Sequence, residues 1–300
     1  MVSWLLVIIL AYLFFALSAF GDKVILSGPP NPKAYTFYVG LLNGLVVLVI
    51  PFVGLQIPSQ TMLCWIILDS IIFIIGLYFG YLAIENFEVS KVATTIGATQ
   101  PIFIFFISWL FWGYQQLSVA NFIAFLLLFI GSVIISFEKK PQLTVKFLRM
   151  AILASLMFSL DYVLSKFIFS NISFVQGFIW VRIFIFLFIL VFLFSKKNRK
   201  EIFKKKNTNN KKLRKIFFAT QTCGGIATIL QSFAISLAPI AFLPIVNSLR
   251  GMQYIFLFLI VLFVSYFFPK ILKESVSRPI LLRKAFSIFL IVLGLIILVF

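Results

Sequence analysis

Residues 174 to 194 read FVQGFIWVRIFIFLFILVFLF, a run of 21 residues with one charged side chain, Arg182. A helix of roughly 20 apolar residues crosses the ~30 Å hydrocarbon layer of a bilayer. Because hydrocarbon offers no partner to backbone polar groups, a segment of this kind must bond within itself as a helix. The run therefore predicts a transmembrane helix that carries a charge at its centre.

The rest of the chain resembles this stretch in composition. Of the 300 residues, 62% are hydrophobic and 11% are charged, and the mean hydropathy is +1.14. A water-soluble domain of this size needs far more charged surface than the chain supplies. We therefore expect an all-α integral membrane protein.

Apolar runs separated by proline, glycine and charged residues predict ten transmembrane helices. Their predicted bounds are 3–26, 34–52, 62–84, 89–112, 119–137, 147–170, 174–194, 216–237, 240–268 and 280–300. The one sizeable polar insert lies at 195–215. The first run lacks the basic region and cleavage site of a secretory signal, which predicts an uncleaved first helix.

Basic residues are distributed unevenly over the predicted loops. Twenty-two of the 26 Lys and Arg residues fall in or beside the odd-numbered loops, and the even-numbered loops and both termini have none. Since basic flanks stay in the cytoplasm, this bias predicts cytoplasmic odd-numbered loops and both termini outside, in a bacterial or archaeal plasma membrane. The net charge of +18 is then a rim that faces membrane lipids, and we expect no nucleic-acid partner.

The two halves of the chain resemble each other at two places. The fifth run ends FIGSVIISF at 129–137 and the tenth ends VLGLIILVF at 292–300, with glycine third in both. The first and sixth runs match as ALSAFGDK at 16–23 and SLDYVLSK at 159–166, with lysine last in both. This similarity predicts an internal duplication.

A duplicated bundle with an odd number of helices per repeat inserts its halves in opposite senses, which is a transporter architecture. We therefore predict ten transmembrane helices arranged as two inverted five-helix repeats, residues 1–140 and 141–300.

The chain resembles the EamA-like ten-helix branch of the drug/metabolite transporter superfamily over nearly its full length. The paired helix endings carry this resemblance, together with ATTIGATQP at 93–101 and APIAFLP at 238–244. The resemblance implies two EamA-like repeats, a central cavity between them, and export or exchange of small metabolites by alternating access. It also implies termini inside; we follow the charge bias instead, because that bias belongs to this chain.

Charged residues inside predicted helices are the leading candidates for a substrate or ion pathway, since each costs several kcal/mol at mid-bilayer unless paired or hydrated. These residues are Asp161, Arg182 and Arg250 near helix centres, and Asp22, Lys23, Asp69 and Lys166 nearer helix ends. One aspartate cannot neutralise two arginines, so a surplus cation favours an anionic or zwitterionic substrate. The alternatives are that Asp161 pairs structurally with an arginine and that the two lysines extend toward headgroups.

Two amide residues join these candidates. Gln100 precedes Pro101, which frees a carbonyl one turn earlier, and interrupted helices often border binding sites. Asn247 lies within the ninth run, where amides commonly join helices by hydrogen bonds. The chain has no His, and Cys64 and Cys223 are too few and too distant for a metal site, so we expect no metal and no cofactor.

These patterns predict a secondary transporter of a small polar, anionic or zwitterionic metabolite, with a proton or ion as the possible coupling partner. A flippase for lipids or lipid-linked intermediates is the first alternative, with Lys23 and Lys166 at phosphate, and a non-transporting membrane scaffold is the second. An enzyme is not expected, because the sequence supplies no catalytic cluster. Whether the protein is a monomer or a homodimer stays open.

Overall fold

A computed structural model describes residues 2–25, 32–87, 89–113, 117–136, 144–202, 211–267 and 278–299. Within these ranges the regular structure is helical, and no strand occurs. The α-helices are α1 (Val2–Ile25), α2 (Pro32–Leu42), α3 (Ile50–Val53), α4 (Gln60–Asn86), α5 (Val89–Trp112), α6 (Val119–Ser136), α7 (Val145–Asn171), α8 (Phe174–Leu190), α9 (Lys196–Ile202), α10 (Lys211–Leu237), α11 (Leu243–Ser248), α12 (Gly251–Phe267) and α13 (Arg278–Val299).

Three 3-10 segments interrupt or extend these helices. Asn43–Val49 joins α2 to α3, Val191–Phe194 extends α8, and Ile240–Phe242 precedes α11. Each predicted run therefore corresponds to one helix or to one interrupted helix. The second and ninth runs are the interrupted ones, because both contain turns of 3-10 helix that hydropathy alone does not reveal.

Among the described residues, eight segments are long and apolar enough to cross a membrane, and α6 is a shorter apolar helix. Polar residues such as Gln221 and Gln231 make α10 less apolar than those eight. The prediction of an all-α integral membrane protein is confirmed.

The helices form two compact units, and each unit draws on both halves of the sequence. Unit 1 consists of Met1–Ser27, Trp112–Lys140 and Thr208–Phe300, and unit 2 consists of Gly28–Phe111 and Pro141–Asn207. Packing and internal repetition are separate properties of a chain, so the repeats at 1–140 and 141–300 stay a prediction.

In unit 1, α1 packs against α10 and α12, and α6 packs against α13. The contact of α6 with α13 is reciprocal in its glycines. A Cβ at Gly131 would lie 2.7 Å from Ile291 of α13, and a Cβ at Gly294 would lie 2.9 Å from Leu128 of α6. These two glycines, which occupy equivalent places in the paired helix endings, allow the backbones to approach closely.

In unit 2, α4 packs against α7, α8 and α2, and α8 also packs against the 3-10 segment Asn43–Val49. Glycine again permits the close contacts. Cβ atoms at Gly40 and Gly44 would each lie 2.6 Å from the side chains of Ile189 and Phe186 on α8. The core of this contact contains fully buried Ile66, Ile185 and Ile189, together with Phe37.

The described residues at the start of the polar insert are mostly helical. Its first residues form α9, whose last residue, Ile202, is buried in the core of unit 2. Lys33 at the start of α2 forms an ion pair of 2.8 Å with Glu201. The insert is therefore attached to unit 2 by one apolar and one ionic contact, whereas the sequence predicted only a polar loop.

Candidate functional site

Three helices of unit 2 bring charged side chains together. Asp69 lies on α4, Asp161 on α7 and Arg182 on α8, and α4 packs against both of the other helices. Ser165 lies one helical turn beyond Asp161, so both side chains share the face of α7 that α4 contacts. We call Asp69, Asp161, Ser165 and Arg182 the acid–arginine cluster.

Asp69 is the most deeply buried member of the cluster, with 0% of its surface exposed. Its Oδ2 accepts a long hydrogen bond of 3.4 Å from Ser165 Oγ. Its Oδ1 is buried and has no hydrogen-bond partner among the described residues. The neighbouring Ser70 donates instead to the carbonyls of Ile66 and Val181, which ties α4 to α8. The carboxyl group of Asp69 is therefore under-satisfied for its burial.

Arg182 is held by an amide and by two aromatic rings. Its Nη1 donates to Asn43 Oδ1 at 3.1 Å, and its guanidinium carbon lies 4.8 Å from the ring centroid of Phe178 and 5.5 Å from that of Phe73. Asn43 donates its own Nδ2 to the carbonyl of Val39 at 2.8 Å, which turns its oxygen toward the guanidinium. The two rings stabilise the cation through their faces.

Arg182 is nevertheless incompletely matched. Its Nε is buried without a hydrogen-bond partner in the part of the chain that the structure describes. Over the same residues, no ion-pair contact within 4.0 Å joins Arg182 to Asp69 or Asp161. The predicted alternative, that Asp161 pairs structurally with an arginine, stays a prediction.

The net charge of the cluster differs in sign from the surplus positive charge that the sequence predicted. The sequence left open whether Asp161 neutralises Arg182 or Arg250, and whether Asp69 or a lipid phosphate supplies the missing anion. Within unit 2, Asp69 and Asp161 both lie on helices that pack with that of Arg182. Two carboxyl groups thus accompany one guanidinium. Linear order could not show this, because which helices pack together is a tertiary property.

The other predicted residues of unit 2 lie beside the cluster on α5 and α7. Gln100 is buried, and its main-chain carbonyl oxygen accepts a hydrogen bond of 3.2 Å from the Ser159 hydroxyl. Thr99 and Ser155 continue this polar seam with a hydroxyl pair at 2.7 Å. Lys166 is only 6% exposed within the protein. Its side chain is thus packed in unit 2.

Unit 1 contains a second polar centre, at a break in the ninth predicted helix. α11 ends at Ser248 and α12 begins at Gly251, whereas the sequence predicted one uninterrupted run. The hydroxyl of Tyr12 donates to the carbonyl of Val246 at 3.0 Å, and Ser132 donates to the carbonyl of Ser248 at 2.6 Å. Hydroxyls from two neighbouring helices therefore satisfy carbonyls beside the break.

Two predicted pathway residues, Asn247 and Arg250, lie at this break. Asn247 is 2% exposed, and its Oδ1 is buried without a partner among the described residues. Tyr12 and Tyr254 of the same unit lie near Arg250, and Gln231 lies near Tyr12. The Tyr12 hydroxyl also lies 3.4 Å from the carbonyl oxygen of Asn247. We call Tyr12, Gln231, Asn247 and Arg250 the helix-break centre.

Two predicted residues cannot be placed in this way. Asp22 and Lys23 lie on the last turn of α1, and their side chains fall outside the described part of the chain. Their role in a pathway stays a prediction.

Sequence reasoning did not assign Phe73, Phe178 or Ser165 to the site. Each stands four residues from a charged member of the cluster on the same helix: Phe73 from Asp69, Ser165 from Asp161 and Phe178 from Arg182. Since residues four apart share a helix face, this spacing was the available signal.

Comparison with known proteins identifies the fold and leaves the activity open. No protein-family model and no curated protein matches the chain. Twenty-eight chains of solved structures do match. One of them, described only as "Crystal structure of protein", has a TM-score of 0.69 and 15% sequence identity over 98% of this chain and 96% of its own. The two chains share a fold, and that description names no function.

Proposed function

We propose that the chain is a secondary transporter that moves a small polar, anionic or zwitterionic metabolite by alternating access. The acid–arginine cluster carries this proposal. Asp69 Oδ1 and Arg182 Nε are buried without partners in the described structure, on helices that are apolar enough to lie in a membrane. Buried charges with a purely structural role are hydrogen-bonded or paired with neighbouring protein groups. Charges that line a pathway are instead hydrogen-bonded by water or by the bound substrate.

We propose that ten helices cross the membrane. The eight apolar segments supply eight crossings, and α6 and α10 supply the other two. The 18 residues of α6 span about 27 Å at ~1.5 Å per residue, close to the thickness of the hydrocarbon layer.

Helix pairing supports two inverted repeats. In the predicted numbering, α1 and α4 are the first and third helices of the first repeat. α7 and α10 are the first and third helices of the second repeat. The contact of α1 with α10 has its counterpart in the contact of α7 with α4, and the fifth helices, α6 and α13, pack on each other. These contacts are expected of two equivalent repeats, because each contact is either the counterpart of another or joins equivalent helices of the two repeats.

Side chains support the same relation. The alignment of Lys23 with Lys166 makes Tyr12 equivalent to Ser155. Tyr12 donates to the carbonyl of Val246 in the fourth helix of the second repeat, and Ser155 donates at 3.4 Å to the carbonyl of Ile96 in the fourth helix of the first. An unrelated pair of halves has no reason to share this contact.

The decisive experiment is a search for the transported molecule. Purified protein is screened by thermal shift against amino acids, organic acids, nucleosides and lipid phosphates, and each stabilising compound is then tested for counterflow in proteoliposomes. Counterflow of a polar metabolite supports the proposal. Stabilisation by lipid phosphates alone favours the flippase alternative, and no counterflow with any compound favours a non-transporting scaffold.

The orientation is proposed from the charge bias, with cytoplasmic odd-numbered loops and both termini outside. Cysteine-free protein with single cysteines at Ser3 and at Asn207 distinguishes the two orientations by labelling intact cells with an impermeant maleimide. We expect labelling at residue 3 and protection at residue 207. The opposite pattern would place the termini inside, as the family resemblance implies.

A further inference from the structure

We propose that Asp69 and Asp161 share one exchangeable proton beside Arg182, which makes the acid–arginine cluster the coupling site for proton-linked transport. This inference rests on the proposed transport function and adds the coupling ion to it. The observation behind it is the placement of two carboxyl groups and one guanidinium on three packed helices, α4, α7 and α8. Ser165 of α7 donates to Asp69 of α4, and Arg182 of α8 lies over the Phe73 ring of α4.

The charge balance of the cluster requires one proton. A guanidinium stays charged in proteins, so Arg182 contributes one positive charge. Two ionised carboxylates, of the fully buried Asp69 and the half-buried Asp161, would leave the cluster with a net charge of −1, and one proton on the pair removes that surplus. Because two acids this close bind and release protons as a unit, the proton belongs to the pair.

The geometry favours a proton over a metal cation. Among the described residues, no three His, Cys, Asp or Glu side chains are grouped as metal ligands. Sodium sites in transporters draw on carbonyls of unwound helices, but Asp69 and Asp161 lie within the continuous helices α4 and α7. A proton needs only one oxygen, and the buried Oδ1 of Asp69 is without a partner in the described structure.

Few other charged or titratable groups face the pair. On α8 this group is Arg182. On α7, Tyr162 and Lys166 stand about 100° and about 140° around the helix axis from Asp161, on other faces of the helix. Tyr162 and Lys166 are buried with interactions of their own. The remaining described charged groups on α2, α4 and α7 stand at helix ends: Lys33, Glu85, Lys146 and Arg149. Glu85 is 16 residues from Asp69 along α4, about 24 Å by helical rise.

The proposed step is a simple proton transfer. On the side of higher proton concentration, a hydronium ion gives its proton to one carboxylate oxygen of the pair and leaves as water, which makes the cluster neutral. On the other side, water accepts that proton from the carboxylic acid, and the cluster regains its charge of −1. No other bond forms or breaks.

Infrared spectroscopy of the purified full-length protein tests the site without knowledge of the substrate. The carbonyl stretch of a protonated carboxylic acid is recorded while the pH is raised from 7 to 10, with the proton as the only ligand. We expect one such band, lost at alkaline pH. Asp69→Asn and Asp161→Asn should each remove it, because one remaining carboxylate already balances Arg182.

Two further variants sharpen the experiment. Arg182→Gln should make the band about twice as intense, since both acids must then be neutral to remain buried. Glu85→Gln removes an exposed acid from the end of α4 and should leave the band unchanged. Elution of each variant as a single species on size exclusion in detergent confirms that it is folded.

The outcomes separate this inference from the proposed function. Absence of the band in the wild-type protein, or its survival in both Asp→Asn variants, overturns the shared proton even if counterflow is observed. A band with these properties in a protein that shows no counterflow of any compound upholds the proton site and sinks the transporter. Counterflow that a pH gradient neither drives nor opposes, in a protein with the band, overturns the coupling.

Discussion

The two compact units both contain polar groups inside an apolar helical bundle, and they accommodate those groups by different chemistry. Unit 2 places formal charges on continuous helices, with Asp69 on α4, Asp161 on α7 and Arg182 of α8 lying over two phenyl rings. Unit 1 interrupts a helix and satisfies its carbonyls with the hydroxyls of Tyr12 and Ser132. A charge can change with protonation, whereas a carbonyl capped by a hydroxyl cannot. Unit 2 is therefore the unit whose net charge a change of protonation can alter.

The acids of the chain show the same division. The described side chains of unit 1 include no Asp or Glu, and its helix-break centre has one cation, Arg250. Unit 2 has both aspartates that lie deep in helices. Substitutions that separate the two kinds of centre thus test the comparison directly.

The largest effect is expected from Asp161→Asn. This change leaves one carboxylate opposite Arg182, so the cluster is neutral without a proton and uphill transport should be abolished while the protein stays folded. Uptake into proteoliposomes of a compound identified by the screen measures it, with Glu85→Gln as the matched change of an exposed acid. Wild-type flux in Asp161→Asn would remove that residue from the mechanism.

Arg182→Gln should have the largest effect on stability. It removes the charged hydrogen bond to Asn43 and the contacts with both rings, which together cost about 3 kcal/mol, and it leaves two carboxyl groups without a nearby cation. Thermal unfolding in detergent measures the loss. Adding Asp161→Asn to this variant should recover part of it, and a double variant less stable than Arg182→Gln alone would contradict the charge argument.

Gly251→Val should destabilise unit 1 without changing the proton site of unit 2. A Cβ at Gly251 overlaps Ser132 and lies 2.7 Å from Ile291, and such overpacking costs about 1–3 kcal/mol. Thermal unfolding reports the cost. Gly225→Val is the control, because a Cβ there meets nothing within 4 Å. Equal losses in the two variants would show that the close contact at the break is unimportant.

Tyr12→Phe should have the smallest effect. It removes the hydroxyl that caps the carbonyl of Val246 and keeps the ring, so the expected loss is about 1 kcal/mol in thermal unfolding. The carboxylic-acid band in the infrared spectrum should be unchanged, because that band belongs to unit 2. A change in the band would break the distinction between the two units.

Sequence alone predicted the helices well, because crossing a bilayer requires long apolar runs. The run predicted at 89–112 coincides with α5, and Gly40, Gly44, Gly131 and Gly294 all lie at helix contacts. The break before Gly251 was not predicted, since no proline marks it and Asn247, Leu249 and Arg250 are compatible with a helix.

The candidate site was predicted in its members more than in its arrangement. Asp161, Arg182 and Asp69 were singled out because charge is costly in lipid. Their grouping depends on which helices pack together, and Asp69 and Arg182 are more than a hundred residues apart in the chain. The rings that hold Arg182 were missed because phenylalanine, with 40 residues, is too common here to attract notice.

The 3-10 segment Asn43–Val49 links backbone length to the charge of unit 2. Seven residues of 3-10 helix rise about 2.0 Å each, so rewinding them as α-helix would shorten this stretch by about 3.5 Å. Asn43 stands at its first position and binds Arg182. Shortening of the segment would move the Asn43 amide along the helix axis and weaken its hydrogen bond to the Arg182 guanidinium. A change of helical pitch in this segment would therefore also change the coordination of Arg182.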